Sequence, residues 1–367
     1  MNNNKQAFFA LVGAGLWERG VRLSQFEDIN LKTIYRYAQE QSVTGIVAAG
    51  LEHVSDVKLP KEDILVFVGD ALQLEHRNVA MNNFIGVLVD KMKKASINLV
   101  LVKGQGVAQC YEKPLWRAAG DVDFFLDKEN YNKAQSFLKP LASHIDEEEK
   151  RKCHLGMTID SWILELHGTM FTDISEKMNI VSAEVQRNIF ELGGVRYWNN
   201  DGVDVLLPSA DNDVIIIFNH FINHFYGEGV GLRQICDWCR LLWKFQDVIN
   251  VALLENRIIR MGLMKEWKAF AYFAVEYLGM PERMMPLYEK TTTYSRKADL
   301  ICQIILQTGN MGQNKNNSYR AKYPRLLSYF ITFFRRLGEF ARLTRIFPNN
   351  APMFFLNYVF HRVKATV

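Results

Sequence analysis

The sequence lacks most of the features that mark specialised protein classes. Five cysteines are spread over 367 residues, too few for a disulfide framework, so a reducing, cytoplasmic setting is expected. No stretch approaches the roughly 18 uninterrupted apolar residues that a spanning helix needs. The short apolar run at 7–16 leads into Trp17-Glu18-Arg19 and not into a small-residue cleavage site, which argues against a secretory leader. Net charge is only +4, so nucleic-acid binding is not indicated. The spacing GxxxxGK[ST] of a P-loop is missing, and there is no internal repeat. Cys236 and Cys239 form a Cys-x-x-Cys without a second pair to complete a zinc site. His220 and His224 stand four apart on one helix face, but no glutamate directly follows His220, so the metalloprotease pattern fails.

What is present is an ordinary globular composition, 49% hydrophobic and 23% charged, in a chain long enough for two or three domains. Hydrophobic periodicity divides it into four regions. Residues 1–95 read as a helical cap, with a long helix over 61–95 that carries Ile64, Leu65, Val68, Ala71 and Leu72 at helical spacing. Residues 96–209 read as an α/β core. It includes strands over 153–159 and 161–166 and a hairpin turning at Asn199-Asn200-Asp201-Gly202. Residues 210–310 turn helical again, and 311–367 form a basic, aromatic helical segment. The expected class is therefore α+β, a small mixed sheet between helical regions.

The chemistry concentrates in 99–127, LVLVKGQGVAQCYEKPLWRAAGDVDFFLD. A buried strand over 99–102 breaks at Lys103-Gly104, a short helix follows, and a second strand runs over 121–126. Side chains alternate along a strand, so Asp121 and Asp123 share one face while Val122 and Phe124 turn into a core. Paired carboxylates on a buried strand repel and are costly to desolvate. A divalent cation relieves both penalties, and magnesium prefers oxygen donors. Glu165, in SWILELHG, points away from the apolar face of its strand and is the favoured third carboxylate; Asp160 and Asp204 compete for that place. Free amides at the helix opening after Lys103-Gly104 would attract phosphate, and Lys103 would neutralise developing charge. Arg117 suits a triphosphate clamp, since guanidinium forks match phosphate oxygens, or else a loop ion pair. His167 would bind a phosphate, orient Glu165 or serve the core. Arg233 and Asp237, one turn apart, would pair with each other or face the site.

The ordered set of Lys103-Gly104, Tyr111, Arg117, Gly120-Asp121-Val122-Asp123 and Glu165-Leu166-His167 resembles the uncharacterised bacterial nucleotidyltransferase family of the polymerase-beta-like superfamily, over roughly residues 31–242. The resemblance implies a metal-dependent enzyme. It would move a nucleoside monophosphate from a nucleoside triphosphate to an acceptor, with Mg2+ or Mn2+ on Asp121, Asp123 and Glu165 and phosphates on Lys103, Gly104, Arg117 and His167. The acceptor is open: sugar, small metabolite, protein or RNA end. Gln105 stands where the superfamily usually has serine, which weakens one phosphate contact and favours the rival reading, a non-catalytic protein that kept the fold.

In the C-terminal segment, Leu326, Phe330, Phe333, Leu337 and Phe340 follow a helical stripe, and from Met311 onward Glu339 is the only acid. The expected arrangement is a helix packed on the body through this stripe, with arginines in solvent. Contact with an anionic membrane surface is the alternative, and no membrane partner is assigned.

Overall fold

The computed structural model describes residues 2–227, 229–315 and 322–364. Helices α1 (Asn3–Trp17), α2 (Leu31–Glu40), α3 (Thr44–Leu51) and α4 (Lys61–Lys94) come first. Asn30 caps α2 by accepting from the Thr33 amide at 2.9 Å, as Asn does at an N-cap. Helices α1 and α3 cross closely because Gly15 faces the Ile46 carbonyl and Gly50 the Leu11 carbonyl; a Cβ at either would collide with backbone.

The middle of the chain supplies β1 (Val100–Val102), α5 (Gly104–Ala108), β2 (Asp121–Phe125), α6 (Lys128–Leu138), β3 (His144–Ile145), β4 (His154–Ile159) and β5 (Trp162–His167). Among the described residues these strands form one five-stranded sheet in the order β1-β2-β5-β4-β3. Strands β2 and β5 are parallel, and the other pairs are antiparallel. The sheet is thus small and mixed, and the class is α+β as the sequence indicates. Helix α7 (Glu176–Glu191) follows, capped by Ser175. The hairpin of β6 (Val195–Asn200) and β7 (Val203–Pro208) turns on Asp201 and Gly202, both at positive φ, the conformation of a tight two-residue turn.

One face of the five-stranded sheet is apolar. Val122, Phe124, Leu164, Leu166, Leu155 and Met157 pack there against Met81, Ile85 and Met92 of α4 and Tyr131 and Leu138 of α6. The opposite face carries the polar residues of the site. The earlier half of α4 departs from the expected stripe: Phe67 and Ala71 are buried, whereas Leu65, Val68 and Leu72 are exposed. Helical spacing identifies a face but not whether a neighbour covers it.

Helices α8 (Ala210–Tyr226), α9 (Leu232–Lys244), α10 (Val251–Met261), α11 (Met264–Glu276) and α12 (Thr292–Thr308) complete the body. They share one core with the N-terminal helices: Phe9 meets Phe273 edge-on, and Trp17 Nε1 donates to the Leu278 carbonyl at 2.7 Å. Helices α13 (Arg325–Ile346) and α14 (Asn350–Lys364) close the chain. Here the expected packing stripe is corrected. Phe330, Phe333 and Leu337 are exposed, Phe340 is half-buried, and the Leu326 side chain lies outside the described residues. The segment is anchored further on, through buried Leu343, Ile346, Phe347, Ala351 and Phe354. Among the described residues, no helix is long and apolar enough to cross a membrane.

Candidate functional site

The site is built where β1 ends. Lys103 has φ 56° and ψ −147°, a sparsely populated conformation for a residue with a Cβ. Gly104 follows at φ 39°. Its backbone angle requires glycine more than its surroundings do, since a Cβ would meet only the Asp121 carbonyl oxygen at 3.4 Å. This turn swings Lys103 across β2, where Nζ donates to Asp123 Oδ1 at 2.7 Å. Helix α5 is a little over one turn long. The Gln105 side chain points inward and donates to Asn78 Oδ1 at 2.7 Å in a buried contact, so it does not replace the expected serine toward the site.

The parallel register of β2 and β5 sets Asp123 opposite Glu165 and Asp121 opposite Ile163. Alternation then brings Asp121, Asp123, Glu165 and His167 to one sheet face. His167 Nε2 donates to Asp123 Oδ1 at 2.8 Å and lies 3.4 Å from Glu165 Oε2. On β4, His154 is paired with His167; its Nε2 donates to Glu165 Oε2 at 3.3 Å, and the two imidazoles stack with centroids 4.8 Å apart. The competing acids fall elsewhere. Asp160 sits in the β4–β5 turn at positive φ, and Asp204 is on the separate hairpin, where it accepts from Asn199.

The two aspartates are electrostatically unlike. The charge of Asp123, together with burial, holds the Asp121 carboxyl above its ordinary range, with Lys103 opposing. For Asp123, burial works upward, but Lys103 and His167 outweigh it and bring the net shift below the ordinary value. Glu165 is lowered by its hydrogen bonds from His154 and His167. Burial and Lys103 press His167 downward, yet its bonds to Asp123 and Glu165 leave it raised. Lys103 is likewise raised, burial being overcome by Asp123 and Glu165.

Arg117 is also near, but its fork is engaged. Nε donates to Asp237 Oδ1 at 3.0 Å and Nη2 to Asp237 Oδ2 at 2.6 Å, and Tyr111 donates to the same carboxylate at 2.8 Å. All three side chains are buried, so the observed pair is an ion pair within the fold. Arg233 does not pair with Asp237; its Nη1 donates to the Ala118 carbonyl at 2.9 Å, its buried Nε has no hydrogen-bond partner among the described residues, and its charge acts on Asp121. Of the other sequence candidates, Cys236 and Cys239 are core residues of α9 with thiols pushed up by burial. His220 and His224 pack edge-on against each other, and His220 is held well below its ordinary value by burial and Lys103.

A cavity of about 410 Å3 opens beside Glu165. Lys103, His154, Glu165 and His167 line it from the sheet, Asn219, His220 and Asn223 from α8, and Lys152 from the segment before β4. Asn219 and Thr172 are among its lining residues, and Asn219 Oδ1 and Thr172 Oγ1 are buried with no hydrogen-bond partner among the described residues. His154, Asn219 and Asn223 are additions to the residues the sequence singles out, while His220 is weighed there only as a metalloprotease-type zinc ligand. The strand alternation that selected Glu165 also places His154 on this face, whereas no local pattern brings α8 here.

With this geometry in place, comparison with protein families finds a match over residues 27–279 to the family described as uncharacterised nucleotidyltransferase. The chain belongs to that family. The match takes in every site residue named above. Comparison with curated proteins gives no match. Among solved structures, an antigenic nucleotidyltransferase-like protein from Paracoccidioides brasiliensis is similar at 15% identity and a TM-score of 0.30, over 50% of this chain and 90% of that one; a likeness this loose carries no argument. The donor set suits the hard divalent cation that nucleotidyltransferases generally use. Oxygen atoms predominate, and the raised Asp121 records a like-charge penalty that a dication would remove.

Proposed function

We propose that the protein transfers a nucleoside monophosphate from a nucleoside triphosphate to an acceptor hydroxyl or phosphate, in the cytoplasm, with Asp121, Asp123 and Glu165 holding Mg2+ or Mn2+. The observation that carries this reading is the pairing of Asp123 with Glu165 across β2 and β5, on the face that also presents Asp121. The bound metal would supply Lewis-acid stabilisation of the phosphoryl oxygens. The chain's own residues do the rest. Lys103 brings a fixed positive charge to the site, where it offsets charge on the transferred group. Gly104 leaves bare backbone at the closest approach. His167, hydrogen-bonded to Asp123 and near Glu165, fixes the orientation of both carboxylates and offers its N–H to a phosphate oxygen when the cluster rearranges around substrate. Arg117 contributes through Asp237, by holding the loop that enters β2. The charge of Asp123, which leads the upward shift of Asp121, is the repulsion that a cation held between the two carboxylates would relieve.

Calorimetry with magnesium and each nucleoside triphosphate tests the proposal. Saturable, metal-dependent binding is expected for the wild type. Asp121→Asn with Asp123→Asn should weaken it by about a hundredfold or more, the scale of several kcal/mol of metal-centred stabilisation. Unchanged affinity in the double variant would overturn the metal assignment. The second reading, a nucleotide-binding protein without turnover, is favoured by one observation: Gln105 is turned into the core toward Asn78. Metal-dependent binding without pyrophosphate release in the presence of candidate acceptors would select it.

A further inference from the structure

We infer that His154, Glu165 and His167 form a binding site for a zinc-class divalent ion, distinct in chemistry from the magnesium position on the aspartates. The ligand atoms already have the spacing. His154 Nε2 and His167 Nε2 lie 3.3 Å and 3.4 Å from Glu165 Oε2, and the three atoms are all within 4.8 Å of one another. In a tetrahedral site with bonds of about 2.0–2.1 Å, ligand atoms are separated by about 3.3–3.4 Å. Two edges of the tetrahedron are therefore in place, and the third has to close from at most 4.8 Å.

Ligand type points the same way. Two imidazoles and a carboxylate suit zinc and its neighbours in the first transition row, whereas magnesium prefers oxygen alone. The three residues stand on adjacent strands, β4 and β5, in fixed register, so the set is held by sheet and not by a loop. All three line the cavity, which leaves a fourth position for water or a ligand, as in open zinc sites. Lys103 is the nearby opposing charge, and Asp123 already neutralises it at 2.7 Å. Since Glu165 serves both donor sets, a zinc-class ion and magnesium compete for it. The inference does not require nucleotidyl transfer, because the three ligands are defined without substrate.

The test uses the tag-free full chain, stripped with chelator and titrated with Co2+ and then Zn2+ in the absence of nucleotide and magnesium. One equivalent of Co2+ should bind, giving the intense visible absorption of a four-coordinate site, and Zn2+ should displace it. His154→Ala and Glu165→Gln should each weaken binding by about a hundredfold, with circular dichroism reporting the fold, while Asp121→Asn should leave the absorption in place. The wild-type titration decides the matter even if a variant does not fold. No saturable one-to-one binding, or wild-type affinity in a folded His154→Ala protein, would overturn the inference. The nucleotide reading fails in a different experiment, magnesium–nucleotide calorimetry, so the two failures are distinguishable.

Discussion

Two charged clusters lie at either end of the passage from residue 117 into β2, and their hydrogen bonding separates them. In the first, Arg117, Tyr111 and Asp237 are all buried, and both carboxylate oxygens are matched to donors in a fork geometry. In the second, Lys103 and His167 converge on one oxygen of Asp123, His154 and His167 approach one oxygen of Glu165, and Lys103, His154, Glu165 and His167 border a cavity. A closed pair spends its binding capacity on the fold. A set in which donors crowd onto a few acceptors, beside open space, has partners to exchange when a cation or phosphate arrives. Charge and residue type alone do not distinguish these cases; the difference lies in which atoms are already used.

The largest effect on stability is expected at the closed cluster. Asp237→Ala leaves the Arg117 guanidinium buried without its carboxylate and should cost about 3–5 kcal/mol in urea unfolding, the usual penalty for stranding one partner of a buried pair. A loss well under 1 kcal/mol would show that Arg117 finds other partners, and the contrast with the open cluster would weaken.

This contrast also explains how far the sequence could be read. The shared face of Asp121 and Asp123 and the outward position of Glu165 are legible because strand alternation is a local rule, whereas the parallel pairing of β2 with β5 that sets Asp123 opposite Glu165 is a long-range feature that alternation does not give. The α+β class and the hairpin at Asp201-Gly202 are legible for similar reasons of period and turn chemistry. The engagement of Arg117 is not, because its partner lies 120 residues away. Asp237 has a nearer cation in its own helix, Arg233, one turn off, yet the fold gives it Arg117. In α13, periodicity correctly marks an apolar helical face, but Phe330 and Phe333 remain exposed while Ile346 and Phe347 anchor the segment. Amphipathicity defines the face and leaves the partner undefined.

A finer test of the closed cluster keeps its charge and removes its shape. Arg117→Lys preserves the cation but cannot span both oxygens of Asp237 as the fork does. The expected loss is about 1–2 kcal/mol, smaller than for Asp237→Ala because the carboxylate keeps a counter-charge and the Tyr111 hydroxyl. Equal stability of Arg117→Lys and wild type would mean that the pair acts as a point-charge contact and that geometry does not set this cluster apart.

The smallest expected effect has the opposite sign and falls in the open cluster. Asp121 carries the raised carboxyl, with the neighbouring Asp123 as the leading cause, followed by burial. A carboxyl whose folded value is raised favours the fold while it is neutral, and that contribution is lost as pH rises through the folded value. Below the ordinary value of 3.8, Asp121 is neutral in both states and should match Asn in its electrostatic effect. Above it, ionisation sets Asp121 against Asp123, and Asp121→Asn should become the more stable protein. Measured with chelator present, the gain should open between pH 4 and neutrality and level off at about 0.5–1 kcal/mol, the scale of one charge contact near a surface. Asp123 and Glu165 have lowered values and act oppositely: their contribution is present at neutral pH and fades as pH falls. They are present in both proteins, so the difference curve reports the ionisation of Asp121 together with its interaction with these two carboxylates. A pH-independent difference, or one in which Asp121→Asn is the less stable protein at neutral pH, would show that Asp121 is already satisfied without a cation. Adding magnesium should shrink the gain by stabilising only the wild type, which ties the like-charge strain at Asp121 to the ion proposed to relieve it.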